Sequence, residues 1–251
     1  MLISLIENLQ NWPPAIVGGM ILLVAWGFLM AAWRFWGVGG LFVYNAVAVL
    51  VANFQVLKVA QYVFLDNPIA MGTAVFSTIF LSGQILTQQY GTVKAKQCIA
   101  LSVFAQAMMV VLMLLTLGVQ PVSEFINAGH CLHPELSAVF LPIPSLFIAG
   151  VIALFVGQLY DVIIFQKIRQ LSSGRFLWLR SVVGFTVGSF LDSLIFNVLA
   201  WRILAANPIP WEILLPTYLF GTFMLRLVFG VLSIPVLYAI TAWGNFRTEN
   251  S

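Results

Sequence analysis

Apolar residues run almost without interruption along this chain, and polar ones gather in short breaks between the runs. Seven runs are long enough to cross about 30 Å of hydrocarbon. Their approximate limits are 15–35, 41–64, 68–89, 97–118, 139–165, 178–204 and 213–242. In lipid each backbone N–H and C=O must find a partner within the protein, so helices are the natural form. The short-period alternation of a membrane barrel is absent. The pattern predicts an all-α, polytopic transmembrane helical bundle of about seven spans. Gly39-Gly40, Asn67-Pro68 and Ser172-Ser173-Gly174 read as turns between spans. No linker divides the chain, so residues 1–251 read as a single integral membrane domain.

Composition supports that class. The chain is 61% hydrophobic and 8% charged, where soluble domains carry about 25% charged residues. Its net charge of +3 reflects an excess of Lys and Arg in connecting loops. There is no basic cluster with interleaved aromatics, so no nucleic-acid partner is expected. Cys98 begins a span and Cys131 lies in a loop, so a disulfide between them is not expected, and no metal spacing is present. His130 and His133 read as solvated loop residues. The start, MLISLIENLQNWPP, lacks the basic residues of a cleavable signal, so the first apolar run is expected to be retained.

The connections set a direction. Arg34 flanks the first, and Asp66 is the only charge in the second. Lys94 and Lys96 sit in the third, while the fourth holds Glu124, His130, His133 and Glu135 and no Lys or Arg. Lys167, Arg169 and Arg175 crowd the fifth. Basic and non-basic connections alternate, which predicts an outside N-terminus and a cytoplasmic C-terminus in a plasma (inner) membrane. Arg202 is the one mild dissent. Trp33, Trp36, Trp178, Trp201, Trp211 and Trp243 lie near run ends and read as interfacial anchors.

Four ionisable residues stay well inside runs: Lys58, Asp161, Asp192 and Arg226, with Arg180 nearer the cytoplasmic edge. Each costs roughly 2.5–3.5 kcal/mol if central and unpaired, so such groups face the bundle interior or a wet cavity. The acids share a setting, G-[QS]-x-x-D-x-[IL]-I-F, at Gly157–Phe165 and Gly188–Phe196. Helical spacing places Gln158, Asp161 and Phe165 on one face, and Ser189, Asp192 and Phe196 on another. A flat heterocycle with N–H groups would find rings to stack on and carboxylates to accept its hydrogens. An interhelical polar seam, or two buried salt bridges, would account for the same residues. Asp161 should lie about 9 Å from the cytoplasmic edge and Asp192 roughly 20 Å. That predicts Asp161 within reach of Arg180, and Asp192 nearer Arg226 and Lys58.

These motifs resemble those of the queuosine precursor transporter family of vitamin-uptake-transporter-like membrane proteins. The resemblance rests on Gly157-Gln158-Leu159-Tyr160-Asp161-Val162 with Phe165, Lys167 and Arg169, and on Leu177-Trp178-Leu179-Arg180 with Asp192, Ser193 and Phe196. It extends to Ala52, Asn53 and Lys58, and to Arg226, Pro235 and Tyr238. It covers about 45–240, giving a six-span core within 41–242 and an extra first span at about 15–35. One departure stands out: Gln84 and Gln88 occupy positions where the family carries acids. Arg226 also stands where Lys is common.

The resemblance implies import of 7-deazaguanines (7-cyano- or 7-aminomethyl-7-deazaguanine, or queuine) for tRNA modification. It implies substrate contacts by Asp192, Asp161, Gln158, Ser189, Phe196, Asn53, Gln84 and Gln88. Lys58, Arg180 and Arg226 would pair with the acids or gate the path. No cofactor or metal is implied, and a homo-oligomer is allowed. The alternative is the substrate-binding subunit of an energy-coupling-factor importer, docked through small residues such as Ala48 and Ala52. The chain has no nucleotide-binding loop and points to no ATPase partner. No Ser-His, paired-carboxylate or zinc arrangement lies in the runs, so an enzyme is not expected.

Overall fold

The computed structural model describes residues 2–62, 68–122, 132–140, 143–205 and 207–249. Asp66, Glu124, His130 and Cys131 lie outside the described residues. The chain is an all-α bundle, as its apolar runs predict. A short helix α1 (Leu2–Gln10) precedes α2 (Pro14–Gln55). Then come α3 (Thr73–Tyr90), α4 (Thr92–Leu117), α5 (His133–Phe140), α6 (Ile143–Leu171) and α7 (Leu177–Val198). The C-terminal part consists of α8 (Trp211–Ile213), α9 (Thr222–Leu232) and α10 (Ile234–Glu249).

Helix α2 holds 42 residues, about 63 Å if straight and twice the hydrocarbon thickness. Gly37 breaks it with φ 58° and ψ −127°, a conformation glycine adopts because it has no Cβ. The first two expected runs thus share one element, divided at that glycine. By length and composition, five stretches suit a membrane crossing: 14–55, 92–117, 145–171, 177–203 and 211–243. Helix α3 is not among them, because its sequence alternates Ser, Thr and Gln with apolar residues. It is nevertheless the centre of the bundle, with every residue from Thr73 to Thr87 buried. Its hydroxyls are satisfied locally or by α2. Ser77 and Thr87 donate to backbone carbonyls one turn earlier at 2.9 and 2.8 Å. Tyr44 Oη lies 2.6 Å from Thr78 Oγ1, and Asn45 Nδ2 donates to Ser82 Oγ at 2.9 Å.

Two features depart from continuous helix. The second run does not stay helical to residue 64. It ends at Gln55, and Val59–Gln61 pairs antiparallel with Pro68–Ala70, Val59 opposite Ala70. Glycine makes the return possible, since a Cβ on Gly72 would lie 2.6 Å from the Ala52 carbonyl oxygen. The last run also breaks, at Ser233 between α9 and α10. Pro235 explains this: it has no N–H, and its ring clashes with the carbonyl four residues earlier.

Helices α6 and α7 form the most extensive antiparallel pair, joined by a turn in which Ser173, Gly174 and Phe176 have positive φ. Their contact is made of glycines. A Cβ at Gly157 would lie 2.7 Å from both the Asp192 Cβ and the Gly188 carbonyl oxygen. A Cβ at Gly188 would lie 2.6 Å from the Gly157 carbonyl oxygen and 2.9 Å from the Asp161 Cβ. The two copies of the shared motif therefore pack on each other, each glycine against the other copy's aspartate.

Candidate functional site

Asp161 and Asp192 are both buried, at 1% and 3% exposure, yet their surroundings differ. Asp192 is ion-paired with Arg226 of α9 through Oδ2, as the depth argument predicts. The guanidinium also lies 5.3 Å from the centre of the Phe76 ring on α3, a cation–π contact. Its Nε–H has no partner.

This pair forms one wall of a cavity of about 220 Å³. Sites for drug-sized ligands occupy roughly 300–1,000 Å³, so this one suits a small molecule. Phe76, Phe196, Trp201 and Tyr218 supply rings. Thr73, Asn197 and Thr222 supply polar groups, and Val59 and Ala70 of the hairpin complete the wall. Gly150 opens the side next to Asn53: a Cβ there would lie 3.7 Å from Asn53 Oδ1 and 3.9 Å from Phe196 Cε2.

Trp201 and Tyr218 were not legible as cavity residues. Trp201 reads in the sequence as an interfacial anchor, yet it lines the cavity with its ring centre 5.8 Å from that of Tyr218. Both stand on π-helical stretches, Leu199–Ile203 and Leu214–Gly221. Wider turns of this kind are frequent at functional sites because they re-aim side chains. Pro216, which cannot donate a helical hydrogen bond, was the one available signal for the second stretch. Trp33 also departs from the anchor reading: it is buried and donates from Nε1 to Gln89 Oε1 at 2.7 Å.

Asp161 does not meet Arg180, contrary to expectation. It accepts a hydrogen bond from Gln84 Nε2 at 2.9 Å. Gln84 Nε2 also donates to the Ser181 carbonyl at 3.0 Å, while Gln84 Oε1 accepts from Ser181 Oγ at 2.6 Å. Arg180 turns elsewhere, donating to Gln88 Oε1 at 2.7 Å and lying 5.0 Å from the Phe165 ring centre. Gln84 and Gln88 thus each hold one member of the expected pair.

Helix α6 continues past Lys167 to Leu171, so Asp161 lies deeper than its distance from that lysine suggested. Gly157 faces Asp192 and lies one turn from Asp161, so the acids differ in depth by about 6 Å rather than roughly 11 Å. Ser189 is buried and donates to the Thr186 carbonyl at 3.4 Å, away from the cavity lining. Gln158 is buried with Nε2 unpartnered. Lys58 is not inside a span: it follows the end of α2, exposed, in the turn before the hairpin. Among the described residues no three His, Cys, Asp or Glu side chains gather to hold a metal.

The family described as "Putative vitamin uptake transporter" matches residues 70–240. A relative in Bacillus subtilis (strain 168), named "Probable queuosine precursor transporter", is 26% identical over 201 residues, covering 80% of this chain and 82% of its own. No solved structure matches the chain. The matched region excludes the first apolar run and includes both aspartate motifs, Gln84, Gln88 and Arg226. With a bundle of long apolar helices and a family match over more than half its length, the chain belongs to the vitamin uptake transporter family, as a multi-pass membrane transporter rather than an enzyme.

Proposed function

We propose that this transporter carries 7-deazaguanine precursors of queuosine into the cytoplasm. The carrying observation is the cavity in which the Asp192–Arg226 pair lies among aromatic rings. A deazaguanine presents adjacent N–H donors and a ring carbonyl on one edge. A carboxylate accepts two parallel N–H bonds, and a guanidinium beside it donates to the carbonyl. Arg226 also holds the Asp192 carboxylate in register. Phe196, Trp201 and Tyr218 offer faces for the bicycle, and such stacking contributes about 1–3 kcal/mol per base. The name of the Bacillus subtilis relative supports the same substrate class.

In this reading Asp192, Phe196 and Asn53 meet the substrate, joined by Trp201, Tyr218 and Asn197. Asp161, Gln84, Gln88, Gln158, Ser189 and Arg180 act behind that surface. Lys58 sits at the rim, where the outside N-terminus would place the outer face. Ala48 and Ala52 are buried against α3 and so are not offered to an energy-coupling partner.

The test uses a bacterial host of the plasma (inner) membrane type, unable to make or import the precursors and equipped with the enzymes that use them. Expression of this chain with each deazaguanine at low concentration should restore queuosine in tRNA. Asp192→Ala at equal membrane expression should abolish it. Queuosine that never appears with any precursor, from folded protein, overturns the substrate.

A further inference from the structure

We propose that Asp161 is a proton-carrying group and that this transporter moves a proton together with its substrate. As a transport cycle, this rests on the deazaguanine reading, and on a different set of residues.

Asp161 is buried, no cation among the described residues lies within ion-pair distance of it, and Gln84 Nε2 is its hydrogen-bond partner. A carboxylate so placed would be an uncompensated charge in a low-dielectric interior, a cost that a bound proton removes. Asp192, one turn away, has its counter-ion in Arg226.

The packed elements hold little that would reverse this. Helix α3 carries no acid or base among Thr73–Gln89. On α4, Lys94 and Lys96 are exposed near its start and Cys98 accepts from Asn45. On α9, Arg226 is committed to Asp192. On α7, Arg180 is turned to Gln88, with its Nε–H buried and unpartnered.

That last residue supplies the release step. Gly184 lies against the Asp161 carboxyl, and Arg180 is one helical turn, about 6 Å, from Gly184. A shift of Arg180 from Gln88 Oε1 towards Asp161 would stabilise the carboxylate, and the proton leaves. Return of Arg180 to Gln88 restores the uncompensated carboxyl, which takes up a proton from the other side. Gln84, fixed by Ser181, donates to Asp161 in either protonation state.

The experiment uses the purified full chain in two arms. Infrared spectra of wild type should show a protonated-carboxyl C=O stretch that Asp161→Asn removes, Asp161→Glu shifts and Asp192→Asn leaves in place. In liposomes, an imposed gradient of one pH unit should drive up to about tenfold accumulation of a labelled 7-deazaguanine at one proton per substrate. Asp161→Asn should lose that accumulation yet keep counterflow exchange. No counterflow in wild type overturns the substrate reading alone, and the infrared arm still decides on the proton. Absence of the band, or gradient-driven accumulation that persists in Asp161→Asn, overturns the proposal.

Discussion

Gly157 and Gly188 sit back to back, each where a side chain on the other's helix would strike a carbonyl oxygen. The contact holds the two aspartate motifs in antiparallel register. Overpacking a tight core costs typically 1–3 kcal/mol. Gly188→Val should therefore lower the thermal midpoint in detergent and reduce transport. Gly174→Ala, in the turn where nothing crowds the glycine, strains only its φ of 79° and should lower the midpoint less. A fluorescence-detected thermal scan of both variants decides this.

The Asp192–Arg226 pair should behave as a unit. Removing one partner of a buried ion pair costs about 3–5 kcal/mol, because the other charge stays behind unpaired. Asp192→Asn and Arg226→Gln should each destabilise strongly. The double variant should recover much of the loss in stability and none in uptake. Equal instability of the double variant and the sum of the singles would show that the charges do not interact.

Trp201→Ala should raise the KM for uptake with a smaller change in maximal rate. The stacking loss of about 1–3 kcal/mol corresponds to roughly 5- to 150-fold. Trp36→Ala, exposed at 71%, serves as the comparison and should leave KM unchanged. If the two variants match, Trp201 is an anchor after all.

Lys58→Cys reports the orientation. With Cys131→Ser as background and Cys98 buried, a membrane-impermeant maleimide should label Lys58→Cys in intact cells when the N-terminus lies outside. Labelling only after permeabilisation would invert the topology.

Much of the bundle is legible in the sequence because lipid-spanning runs are long and turns are short. The Asp192–Arg226 pair follows from depth and from the cost of a lone buried charge. Other features were hidden for one physical reason. Where lipid surrounds the protein, an outward face is as apolar as an inward one, so hydropathy does not say which side chains turn in. Trp201 and Trp33 therefore read as anchors. The helix end at Gln55 depends on close backbone approach at Gly72, and the second π stretch carries Pro216, which lacks an N–H; periodicity registers neither. Asp161 missed Arg180 because two neutral glutamines, invisible to charge counting, took the hydrogen bonds.

Helix α3 bears on how the molecule is made. With Thr, Ser and Gln along it and every position from Thr73 to Thr87 enclosed by protein, it has no face suited to lipid. Leaving the translocon alone would expose its hydroxyls and amides to hydrocarbon, while neighbours such as Tyr44 and Asn45 on α2 already carry matching groups. Its insertion is then a co-operative act of α2, α3 and the helices that follow. Biogenesis, more than the final fold, is where a polar substitution in α2 would first be felt.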